Sequence, residues 1–97
     1  MALYIILYSY TPEGAKSIEE SPKRIRENIQ RAEEQGMKVH GVYSTLGIYD
    51  LVAIVEAPND LVALGGLLQQ NKTGTVHSTT LKAFTLDEFE SIVSRLA

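Results

Sequence analysis

The stretch Leu46-Gly47-Ile48-Tyr49-Asp50 lies between two runs with the composition of β-strands. Upstream, residues 39–45 are rich in β-branched and aromatic side chains; downstream, residues 51–55 are continuously apolar. A short gap holding a glycine, a tyrosine and an aspartate between such runs predicts a hairpin turn joining antiparallel strands. That hairpin fixes the middle of the fold, with strand two over residues 37–45 and strand three over residues 49–56.

Working outward, residues 3–10 form strand one. Leu3, Ile5 and Leu7 share one parity and Tyr4, Ile6, Tyr8 and Tyr10 the other, so both faces of this strand are non-polar and it belongs inside a layered fold. Thr11-Pro12 supplies a cap and a first helical position. Ile18, Ile25, Ile29 and Ala32 then recur on one helical face over residues 13–35. Pro22 interrupts that pattern, and Ser21-Pro22 predicts a fresh cap, hence a short helix and then a longer one closed by Gly36. After strand three, Pro58 opens a helix whose apolar face is Leu61, Leu64, Leu67 and Leu68. Gly65 and Gly66 inside it cost roughly 1 kcal/mol each against alanine, which points to close packing on the sheet or to a weak point in the helix. Residues 71–74 are a loop and residues 75–84 a threonine-rich fourth strand. Residues 86–96 form an amphipathic helix opened by a Thr85–Glu88 capping box.

The order β-α-β-β-α-β plus a terminal helix is the split βαβ, ferredoxin-like order of an α+β fold. It predicts a four-stranded antiparallel sheet, strands one and three central, with two helices on one face. The length of 97 residues fits a single domain over residues 1–97. Hydrophobic content of 44% and charged content of 22% exclude a disordered chain. There is no cysteine, which removes disulfides and thiolate chemistry and fits a cytoplasmic protein. The apolar start lacks a basic region and carries three tyrosines, unlike a signal peptide, and no run is long enough to span a bilayer. The basic residues between Lys23 and Arg31 are interleaved with Glu27 and followed by Glu33 and Glu34. This is the make-up of a solvated helix face, so neither nucleic acid nor membrane is an expected partner.

Two helices leave the other sheet face bare. With Ile5 and Leu7 turned to the helices, that face would carry Tyr4, Ile6, Tyr8 and Tyr10, joined by Asp50, Val52, Ile54 and Glu56. Strand two would add His40 and Val42, and strand four Ser78, Thr80 and Lys82. Its apolar centre predicts a homodimer packed sheet on sheet, with higher assembly left open, and a cavity between the sheets lined by the polar residues. A one-residue slip would reverse any strand's faces.

Several separated motifs resemble the GYD-domain family: Glu20-Ser21-Pro22, Gly41-Val42-Tyr43 with Thr45, Gly47-Ile48-Tyr49-Asp50-Leu51-Val52, Glu56-Ala57-Pro58 and Thr80-Leu81-Lys82-Ala83-Phe84-Thr85. Their order and spacing agree over nearly the whole chain. The resemblance implies the dimeric α+β barrel superfamily, with the fold and dimer already argued. That superfamily spans cofactor-independent monooxygenases, haem-handling enzymes, isomerases and small-molecule sensing domains, so fold selects no activity and no residue role carries over.

The residues offer a few candidates. Asp50, at a strand start beside the expected cavity, could serve as a general base or could accept backbone N–H groups and pin the turn. Tyr43 and Tyr49 flank the turn and could orient a ligand or fill the core. Tyr8 and Tyr10 would line the cavity. His40 is the second candidate base; His77 lies on the opposite edge strand, so no shared metal site is expected. Thr80 and Lys82 could hold an anionic group, or protect an edge strand. No phosphate loop, zinc-protease motif or nucleophile elbow is present, and no cofactor is expected. The favoured function is a homodimeric domain that binds or senses a small organic ligand. The alternatives are a cofactor-independent monooxygenase or isomerase using Asp50 or His40, and a structural dimer whose partner is another protein.

Overall fold

In the computed structural model, which describes residues 1–96, the chain runs β1 (Ala2–Tyr10), α1 (Pro12–Lys16), a 3-10 turn (Ile18–Glu20), α2 (Ser21–Glu34), β2 (Lys38–Ser44), β3 (Leu51–Ala57), α3 (Asp60–Asn71), β4 (Val76–Ala83) and α4 (Leu86–Val93). The expected single domain ends on Ala97, outside the described residues. The sheet is antiparallel throughout, in the order β2-β3-β1-β4. This is the ferredoxin-like α+β arrangement expected from the sequence, with β1 and β3 central.

Local chemistry sets most boundaries. Thr11 caps α1 through its hydroxyl, which accepts from Gly14 N at 3.1 Å. Gly14 must be glycine, because a Cβ there would lie 2.0 Å from the Thr75 carbonyl oxygen. Asn59 caps α3 by accepting from Val62 N at 3.0 Å, and Thr85 with Glu88 forms the full capping box of α4. Gly36, at φ +84°, follows the end of α2 as the left-handed closing residue. Ser21 is not the cap of α2. Its backbone is already helical, and its buried hydroxyl instead meets the Tyr10 hydroxyl at 2.5 Å. The hairpin is wider than a tight turn. Residues 45–50 form a loop closed by Thr45 N donating to Asp50 O at 2.9 Å, with Gly47 at φ +120° and Leu46 and Ile48 exposed at its tip.

The faces of β1 and β4 are the reverse of those expected. Tyr4, Ile6 and Tyr8 are buried and join Leu51, Ala53, Val55 and Ala57 in the core. Ile25 of α2 and Val62, Ala63 and Leu67 of α3 pack against them, so this is the helix-covered face. Register carries Ser78, Thr80 and Lys82 to the same side, opposite Tyr8, Ile6 and Tyr4. Val42 also faces the helices, opposite Ala53, after a bulge between Val39 and Gly41. The physical reason is hydrogen bonding. The hydroxyls of Tyr4, Tyr8 and Tyr10 need partners, and α3 and α2 supply Asp60, Gln70 and Ser21.

The bare face therefore carries Leu3, Ile5 and Leu7 beside Val52 and Ile54, with Leu81 across from Ile5. Val52, Ile54 and Glu56 lie there as expected. Both histidines stand on this face, although the parity that put His40 and Ser78 on one side would have put His77 on the other. His77 is opposite Ser9, and His40 Nε2 lies 2.7 Å from Glu56 Oε2.

The terminal helix α4 does not fold back on the sheet. Phe89 is 61% exposed and Ile92 54%, so its apolar stripe meets solvent. The radius of gyration, 14.9 Å, exceeds the roughly 12.5 Å of a compact chain this long, and the longest extent is 53 Å. Among the described residues no helix is long and apolar enough to cross a membrane.

Candidate functional site

Asp50 closes the β2–β3 loop onto β1. Its Oδ2 accepts from Tyr10 N at 2.8 Å, its own N–H donates to Tyr8 O at 2.8 Å, and its carbonyl receives Thr45 N. The first two bonds hold the loop across the end of β1 and the third closes the loop on itself, the turn-pinning geometry. Thr45 completes the clasp by donating its hydroxyl to Tyr49 O at 2.6 Å. Tyr49 is half-buried in that loop, whereas Tyr43 projects from edge strand β2 on the bare face and is 56% exposed.

A part-open cavity of about 260 Å³ lies between the sheet and helices α2 and α3. Tyr8, Tyr10 and Thr80 line it; Asp50, His40, Tyr43, Tyr49 and Lys82 do not. Tyr8 donates its hydroxyl to Gln70 Oε1 at 2.8 Å, and burial pushes the phenol up to about 12. The Tyr4 ring is buried, but its hydroxyl reaches the rim and donates to the exposed Asp60 carboxylate. That bond is the main reason the Tyr4 phenol is also raised to about 12, since its ionisation would set two negative charges side by side. The same bond, with Lys82 Nζ at 3.2 Å from both carboxylate oxygens, holds Asp60 below the usual carboxylate range. Lys82 is thus occupied at the rim by Asp60.

Sequence reasoning passed over the polar groups of α2 and α3 that line this cavity, including Arg24, Asn28, Arg31 and Gln70. Ser21, Arg24, Asn28 and Arg31 recur at spacings of three, four and three, beside the apolar stripe of Ile25, Ile29 and Ala32. The periodicity was visible, but alternation of charge made the helix read as solvated on its polar side.

A family model described as the GYD domain matches residues 4–93. This chain belongs to the GYD-domain family. A relative from Thermus thermophilus, the "Glutamine synthetase and cystathionine beta-lyase binding protein", is 32% identical over 97 residues, covering 99% of each chain. Among solved structures, the GYD domain is similar to a crystallised FFRP protein, with a TM-score of 0.58 and 20% identity over 87% of this chain and 100% of that one. A crystallised protein from Thermus thermophilus has a TM-score of 0.51 and 27% identity, covering 88% of this chain and 95% of that one. The first of these likenesses speaks for the fold alone.

Proposed function

We propose that this GYD domain is a cytoplasmic binding protein that acts as a homodimer and docks on other proteins. The observation that carries the reading is the pair of apolar surfaces left open by one chain: the sheet face of Leu3, Ile5, Leu7, Val52 and Ile54, and the exposed stripe of α4. A domain of this size rarely leaves two such surfaces in water. Pairing two sheets face to face buries the first, and α4 of each subunit laid on the other buries the second, giving a dimeric α+β barrel. With Tyr4, Tyr8, Tyr10, Thr80 and Lys82 turned to the helices, the centre of the inter-sheet space would be filled by Leu, Ile and Val, with Tyr43, His40, His77 and Glu56 around it. Such a lining favours a dry interface over a ligand cavity there.

The relative's name, a binding protein for two enzymes, supports protein docking as the role. The loop tip, with Leu46 at 103% and Ile48 at 86% exposure, supplies an apolar contact away from the sheet face. The test is surface-immobilised binding of the purified protein to glutamine synthetase and to cystathionine beta-lyase from the same source. The reading expects saturable binding to at least one enzyme, lost in Leu46→Asp/Ile48→Asp with the oligomer mass unchanged. Absence of binding to both enzymes by a correctly folded protein contradicts the docking role.

A further inference from the structure

The cavity under α2 and α3 has no part in that dimer, because it lies on the opposite side of the sheet. Protein interiors hold few voids larger than a water molecule, and unfilled apolar space forfeits dispersion contacts. A part-open space of about 260 Å³ between helices and sheet leaves apolar side chains such as Ile6, Ile25 and Leu67 facing water unless something occupies it. It falls just below the roughly 300–1,000 Å³ of pockets for drug-sized ligands, so its occupant is smaller. Two of the residues facing it, Ala32 and Ala63, are short where larger apolar side chains would close the space. Its floor is aromatic and aliphatic, with Ile6 and Tyr8 from the sheet, and its walls are Ile25, Ile29 and Leu67 from the helices.

One set of polar groups stands together where α2 and α3 flank the cavity. A smaller recess shares Asn28, Arg31, Gly66 and Gln70 with the main cavity. Arg31 is exposed there, its Nη1 3.4 Å from Asn28 Oδ1, and it has no carboxylate partner among the described residues. Arg24, by contrast, is held by Glu20 at 3.4 Å, and Glu27 is a carboxylate on the cavity lining that an anionic ligand must avoid. Tyr8 occupies the carbonyl oxygen of Gln70, which leaves that amide's nitrogen to donate. Guanidinium and amide donors around an apolar space select an amphipathic anion, and a planar carboxylate suits the arginine fork.

We propose that this cavity binds a small amphipathic monocarboxylate, with its apolar body against Ile25, Ile29 and Leu67 and its carboxylate at Arg31, Asn28 and Gln70. The test titrates octanoate into the full-length protein by calorimetry and by methyl-resolved NMR, with octanol and octylamine as neutral and cationic controls. The proposal expects saturable octanoate binding, shifts at the Ile25, Ile29 and Leu67 methyls, weaker binding of octanol and none of octylamine. Arg31→Gln, at an exposed site, should weaken octanoate by roughly tenfold, the loss of one charge-assisted contact. Ala63→Phe should fill the space and abolish binding while circular dichroism shows a folded chain. The proposal is overturned if octanoate does not bind at millimolar concentration. It is equally overturned if Ala63→Phe binds as well as the parent, or if the shifts fall on Ile92 and Leu96 of the terminal helix.

Discussion

Replacing Asp50 separates a structural carboxylate from a catalytic one. Its Oδ2 accepts the Tyr10 amide at 2.8 Å in a half-buried setting. A hydrogen bond to an ionised acceptor contributes about 1.5–3 kcal/mol, and deleting the acceptor leaves the donor to find water. Because the site is only partly buried, Asp50→Ala should cost about 2 kcal/mol, near the lower part of that range. Asp50→Asn keeps an acceptor oxygen in place and loses only the charge, so it should cost about 0.5–1 kcal/mol. Against a total stability of about 5–15 kcal/mol the alanine change is easily measured. Urea unfolding at fixed protein concentration is the assay, because dimerisation would make the midpoint depend on concentration. With a slope of about 1–2 kcal/mol per molar urea, Asp50→Ala should lower the midpoint by about 1–2 M, and Asp50→Asn by no more than about half of that. In hydrogen exchange, the Tyr10 amide should lose protection selectively in Asp50→Ala. Equal midpoints for Asp50→Ala and the parent would refute the pinning role and return Asp50 to the set of candidate bases.

The glycines give opposite expectations at two places. Gly65→Ala meets nothing within 4 Å and should stabilise α3 by about 0.5–1 kcal/mol in thermal unfolding. Gly14→Ala would drive a methyl into the Thr75 carbonyl and should cost on the order of 3 kcal/mol. A third expectation concerns alkaline pH. The Tyr8 phenol is raised to about 12 by burial, so its contribution is fully present below its unfolded value and is lost as pH rises through about 12. Unfolding monitored by circular dichroism should steepen between about pH 10 and 12, and Tyr8→Phe, which cannot ionise, should move that transition upward; an unmoved transition would count against Tyr8 as its source.

Much of the architecture was legible because periodicity and punctuation agreed. Thr11-Pro12, Gly36 and Thr85–Glu88 each marked a boundary that the backbone respects. Strand faces were less legible. β1 is apolar on both sides, so alternation held no vote, and β3 is apolar from Leu51 to Val55. The informative difference was that tyrosines carry hydroxyls while Leu3, Ile5 and Leu7 carry none, and only the helix side offers partners. Threonines on β4 suit either face, so β4 simply followed β1. In the site, Tyr8, Tyr10 and Thr80, expected beside a space between two sheets, instead line the space under the helices. Arg31 and Gln70 were missed because the polarity of a solvated surface and that of a cavity rim look alike in one dimension.

The central claim is that two uncovered apolar surfaces exist because a second copy covers them. Sedimentation equilibrium across a dilution series tests it most directly. The account predicts a species of twice the 10.7 kDa chain mass, converted to monomer by Leu7→Glu on the bare sheet face. A parent protein that sediments as a folded 10.7 kDa monomer at tens of micromolar would contradict it.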